Sequence, residues 1–85
     1  MIKILVAEDD RALNDLVCSM LRGNGMEAVA AFDGKQALDL FESESFDMVI
    51  SDIMMPHTDG FALAENIRRA DKRIPILFMT ALDDK

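Results

Sequence analysis

The chain has a single cysteine, Cys18, in 85 residues, so no internal disulfide can form. Cys18 falls within a helical pattern, where a small buried side chain is its expected role. Basic residues are also scarce. Nine Lys and Arg against sixteen Asp and Glu leave a net charge of −7. Phosphate contacts need a basic face, so direct nucleic-acid binding is not expected, and cations are favoured over acidic partners. No apolar run has the length of a membrane span, and Met1-Ile2-Lys3 leads directly into a strand rather than a signal peptide. A soluble, cytoplasmic protein is the expectation. Repeats and low-complexity tracts are missing too. What remains is an ordinary globular composition, 51% hydrophobic and 29% charged, sufficient for one small domain over residues 1–85. A chain of this size buries only roughly 60–65% of its unfolded surface, which leaves little stability to spare.

Period and punctuation alternate along the sequence. Ile4-Leu5-Val6-Ala7 is a continuous apolar run of the kind found in strands buried on both faces. A helix follows, with Leu13, Leu16, Val17, Met20 and Leu21 spaced by three and four, until Gly23-Asn24-Gly25 stops it. Met26 to Phe32 reads as a second strand. Asp33 can cap a second helix that buries Ala37, Leu38 and Phe41. Met48 to Ser51 is the third strand. Asp59 is placed to cap a third helix, about Gly60 to Ala70, with Leu63, Ala64 and Ile67 inward. Pro75 then opens a fourth strand, Ile76-Leu77-Phe78-Met79, since proline is tolerated at a strand's first residue. The order βαβαβαβ predicts an α/β domain with a parallel sheet and right-handed crossovers.

Two of these strands end in acid. Glu8-Asp9-Asp10 follows the first and Asp52 follows the third. A carboxylate sits poorly inside an apolar strand, so each acid belongs at the carboxyl end, where open parallel sheets place their sites. One shared carboxylate cluster is the consequence. It would bind a divalent metal, retain a proton, or use both in chemistry. Thr80, after the fourth strand, brings a hydroxyl to the same rim.

Three segments, Ile4 to Asp10, Asp52-Ile53-Met54-Met55-Pro56-His57-Thr58-Asp59-Gly60, and Pro75 to Ala81, together resemble the receiver domain of bacterial two-component response regulators. The resemblance spans the whole chain. It implies a flavodoxin-like sheet, here with strand order 2-1-3-4, and Asp52 as the acceptor of a phosphoryl group. It further implies Mg2+, with Mn2+ able to substitute, held by Asp9, Asp52 and the backbone carbonyl of Met54, with Glu8 acting from behind through water or hydrogen bonds. Asp10 would cap the first helix. Thr80 would hydrogen-bond the phosphoryl group and move toward it on switching. The implied partner is a sensor histidine kinase or a phosphotransfer protein. The module is not an enzyme in the ordinary sense, although it assists its own phosphorylation and dephosphorylation.

Family members continue with a further helix, strand and helix that carry a lysine contacting the phosphoryl group. Lys3, Lys35, Lys72 and Lys85 do not occupy that place. The expectation is therefore a fragment impaired in transfer. Its fourth strand, left at the sheet edge, would pair with a second copy as a two-fold homodimer. A non-signalling interaction module is the alternative. A haloacid-dehalogenase-type phosphatase is disfavoured, because that family places a second aspartate where Met54 stands.

Overall fold

Strands and helices alternate from the first residues onward in the computed structural model, which describes residues 1–53 and 60–79. The elements are β1 (Lys3–Ala7), α1 (Arg11–Gly23), β2 (Glu27–Ala31), α2 (Gly34–Ser43), β3 (Met48–Asp52), α3 (Gly60–Ala70) and β4 (Ile76–Met79). All pairings are parallel and the order is β2-β1-β3-β4, the order expected from the sequence. The expected cap Asp59 and the residues Met54 and Thr80 lie outside the described residues.

Side chains alternate across the sheet, so one strand supplies both layers of core. Leu5, Ala7 and Val49 face α2 and α3 and pack with Ala37, Leu63, Ile67 and Ile74. Ile4, Val6 and Ile50 face α1 and pack with Cys18 and Ala28. Leu5 and Ile67 have no exposed surface. Truncating either to alanine would cost about 2–5 kcal/mol, a large part of the stability available to so small a domain.

Local signals set the helix boundaries. Asp10 accepts from the Leu13 N–H at 3.1 Å and Asp33 from the Gln36 N–H at 2.7 Å, each satisfying an amide that the first turn leaves open. Helix α1 ends at Gly23, and the left-handed residue beyond it is Gly25, with φ +82°. A Cβ there would meet nothing within 4 Å, so backbone conformation rather than space calls for glycine.

The facing of α1 differs from the apolar stripe. Leu13, Leu16 and Met20 are exposed, whereas Asn14 and Cys18 are buried, with Val17 and Leu21 packed beside them. At 100° per residue the inward face is turned roughly a quarter turn from the stripe centre. The small Cys18 side chain lets α1 approach the sheet, and burial pushes its thiol pKa up, as expected for a structural cysteine.

Candidate functional site

Strand register brings the acids together. Ala7 lies beside Ser51 in the β1–β3 ladder, so the next step along both strands sets Glu8 beside Asp52. Asp52 is the last residue of β3 and is buried. Its own ladder partner on β4 is Met79, and the Ile53 N–H donates to the Met79 carbonyl at 3.3 Å. β1 thus delivers Glu8 and Asp9 from one side of the rim. β3 delivers Asp52, and β4 fixes the far side.

One carboxylate oxygen from each of Glu8, Asp9 and Asp52 falls within 4.8 Å of the others. The three acids that the sequence sets at strand ends meet in one cluster. Their exposure differs in a way the sequence did not reveal: Glu8 retains 3% and Asp52 7% of its surface, while Asp9 is exposed. Two unit charges at such a separation repel by roughly 1 kcal/mol in water and roughly 3–4 kcal/mol at an effective dielectric near 20.

Burial and crowding favour the protonated form of Glu8. Its pKa is raised from 4.5 to about 7, first by burial and then by a hydrogen bond with Asp9 and the charges of Asp52 and Asp9. The Asp10 N–H, donating to Glu8 Oε2 at 2.9 Å, opposes the rise. Three converging carboxylates are the donor set that a hard divalent cation takes, because such ions bind oxygen and offset the repulsion. The described part of the site therefore fits Mg2+ or Mn2+. The grooves lined by Phe61, Ala64 and Arg68 and by Phe41, Glu42, Glu44, Phe46 and Asp71 include none of these three acids, and among the described residues no other group of three such side chains comes as close together.

Asn14 was not singled out in the sequence, although it reaches this rim. Its Nδ2 donates to the carbonyl of Glu8 at 3.0 Å. The available signal was position: it stands four residues after the cap Asp10 and four before Cys18, one polar residue in what proves to be the inward row of α1.

Residues 4–85 match the family described as the response regulator receiver domain. The response regulator MprA of Mycolicibacterium vanbaalenii is 40% identical over 82 residues, covering 96% of this chain and 36% of that protein. The chain spans about a third of the length of the curated relatives it matches. Among solved structures, the chemotaxis protein CheY4 of Vibrio cholerae superposes with a TM-score of 0.93 at 32% identity, over 99% of this chain and 72% of that one. The response regulator TrrA of Thermotoga maritima, solved with Mg2+ and BeF, gives a TM-score of 0.92 at 36% identity, over 98% of this chain and 72% of that one. TrrA has also been solved in complex with the histidine kinase ThkA, with a TM-score of 0.90 at 36% identity and the same 72% of its chain covered. Among the described residues no helix is long and apolar enough to cross a membrane.

Proposed function

The chain belongs to the response regulator receiver domain family, and from that premise we propose that it accepts a phosphoryl group on Asp52 from the phosphohistidine of a sensor kinase or phosphotransfer protein. The observation that carries the reading is the convergence of Glu8, Asp9 and Asp52 within 4.8 Å at the carboxyl ends of β1 and β3. A carboxylate oxygen of Asp52 attacks phosphorus. The new O–P bond forms as the N–P bond to the imidazole breaks, and the departing nitrogen keeps the electron pair and takes a proton. Asp9, Asp52 and the backbone carbonyl of Met54 would hold Mg2+ or Mn2+, with Glu8 behind them. When bound, the cation supplies the positive charge that lets an anion approach an anionic phosphoryl group. The Thr80 hydroxyl would donate to a phosphoryl oxygen. The likeness to TrrA, solved once with Mg2+ and BeF and once with a kinase, supports both the metal and the class of donor.

Residues 1–85 hold no counterpart of the family's phosphoryl-contacting lysine, so transfer to this stretch alone is proposed to be slow. Incubation with a small phosphodonor and Mg2+ tests the reading. Hydroxylamine-labile phosphate is expected on the unsubstituted chain and absent from Asp52→Asn. A chain that takes no phosphate at Asp52, and only self-associates, would instead be a non-signalling interaction module.

Self-association is the second part of the reading. Among the described residues β4 closes the sheet order at one end and carries Leu77 half-exposed. Its edge is proposed to pair with that of a second copy across a two-fold axis, antiparallel. Sedimentation should give a dimer that Ile76→Pro reduces to monomer; a monomer at high concentration in the unsubstituted chain would dismiss the pairing. The setting expected for such a module is the cytoplasm.

A further inference from the structure

We propose that Asn14 is a positioning residue for the acidic site: from α1 it holds the backbone of Glu8, and so sets where the Glu8 and Asp9 carboxylates stand toward a divalent cation. It presupposes the metal site proposed above. Asn14 has no exposed surface. A buried carboxamide must find partners, and both ends of this one do. Nδ2 donates to the carbonyls of Glu8 at 3.0 Å, Ala31 at 3.0 Å and Val6 at 3.3 Å. Oδ1 accepts from the Cys18 thiol at 3.2 Å. Two N–H hydrogens therefore serve three carbonyls at the ends of β1 and β2.

These bonds close a circuit around Asp9. The Glu8 N–H donates to the Ala31 carbonyl at 3.0 Å, and that same carbonyl accepts from Asn14. Both backbone groups of Glu8 are thereby fastened at one corner, the N–H to Ala31 and the C=O to Asn14. The Glu8 carboxylate turns back to accept the Asp10 N–H at 2.9 Å. Asp10 caps α1, and the Asn14 N–H returns to the Asp10 carbonyl at 2.9 Å. Asp9 sits inside that loop, so its direction depends on all of these contacts.

Residue type matters at this point. Leucine has similar volume and no donor, leaving the three carbonyls without that partner. Aspartate keeps the acceptor for Cys18 but adds a buried charge beside the acids. Groups that orient metal ligands from behind typically change affinity by about 10–100-fold when removed.

Mn2+ titration of the full 85-residue chain, followed by the electron-spin resonance of free Mn2+, provides the test. Asn14→Leu is expected to bind Mn2+ about tenfold more weakly under conditions where circular dichroism shows it folded. Ile67→Val, which loosens the core between β1 and α3 without touching the site, should bind as the unsubstituted chain does. A second readout needs no variant. In a 15N-labelled chain, Mg2+ should move the Asn14 side-chain amide resonances on the same saturation curve as the Asp9 backbone amide. That titration decides the matter should Asn14→Leu not fold. Unchanged Mn2+ affinity in folded Asn14→Leu, or Asn14 resonances that stay fixed while Asp9 shifts, would overturn the proposal and leave the metal site standing. Absence of Mn2+ binding by the unsubstituted chain would overturn the metal reading itself, and Asn14's role with it.

Discussion

The two ends of the sheet handle charge in opposite ways. At the amino end, the Lys3 ammonium pairs with Glu44 and lies 5.1 Å from the centroid of the Phe46 ring, while the Lys3 N–H donates to Asp47 at 2.8 Å. Glu44 raises the pKa of Lys3, chiefly by accepting a hydrogen bond from the ammonium. At the carboxyl end, Glu8, Asp9 and Asp52 crowd together, and Glu8 has a raised pKa instead. The amino end joins opposite charges between the first residue of β1 and the connection from α2 to β3. The carboxyl end concentrates one sign of charge, which works against folding and which a bound cation would offset. Ends of a sheet built from the same strands can thus be read separately, one as a clasp and the other as a site.

The sharpest test of that contrast is to remove one acid from each end. Asp9→Asn should weaken Mn2+ binding by about a hundredfold or more, since loss of a direct ligand exceeds the range typical of groups behind the ligands. Asp47→Asn, at the amino end, should leave Mn2+ affinity where it was. Calorimetric titration of both variants compares them directly. Equal losses would mean that net charge, not the cluster, attracts the ion, and the distinction between the two ends would collapse.

A smaller effect is expected from pH. The folded-state pKa of Glu8, about 7, lies above its ordinary 4.5, so between these values the folded chain holds more protons than the unfolded one. Stability of the metal-free chain should then be fully supported by this group below pH 4.5 and fall as pH rises through about 7. Glu8→Gln removes that group, and the difference between variant and parent isolates its contribution from that of the other acids. On the order of 1–2 kcal/mol is expected across the window, allowing for solvent screening. Urea midpoints measured across this range would settle it. Parallel pH profiles for the two chains would show that Glu8 ionises as freely folded as unfolded.

How far the sequence carries is itself uneven. Strand positions were legible because each apolar run is bounded by residues with a clear physical meaning: acid after Ala7, Asp52 after Ser51, Pro75 before Ile76. The meeting of Glu8, Asp9 and Asp52 followed from parallel strands whose carboxyl ends share a rim. What was not legible was orientation about a helix axis. Counting apolar residues points α1 inward at Leu13, Leu16 and Met20, yet all three are exposed. The sheet end presents carbonyls that need donors, and Asn14 satisfies them at the inner face, an exchange no hydropathy count registers. The contrast between buried Glu8 and exposed Asp9 was hidden for a similar reason. Adjacent acids in a strand-end turn diverge, and only the folded backbone decides which one turns inward.

The weakest perturbation belongs to the clasp at the amino end. Lys3→Met keeps an apolar side chain of similar length and removes the ammonium that meets Glu44 and the Phe46 ring. Ion pairs near the surface contribute little, so the thermal midpoint should fall only slightly at low salt. Salt separates charge from packing: at about 1 M the screening length is about 3 Å, and the gap between Lys3→Met and its parent should close. Over the same range both chains should gain stability in the absence of metal, because salt also screens the repulsion at the acidic end. The two ends would then respond to salt with opposite signs within one molecule. A gap that persists undiminished at high salt would assign the amino-end clasp to the short-range contacts of the ammonium with Glu44 and the Phe46 ring rather than to charge that salt can screen.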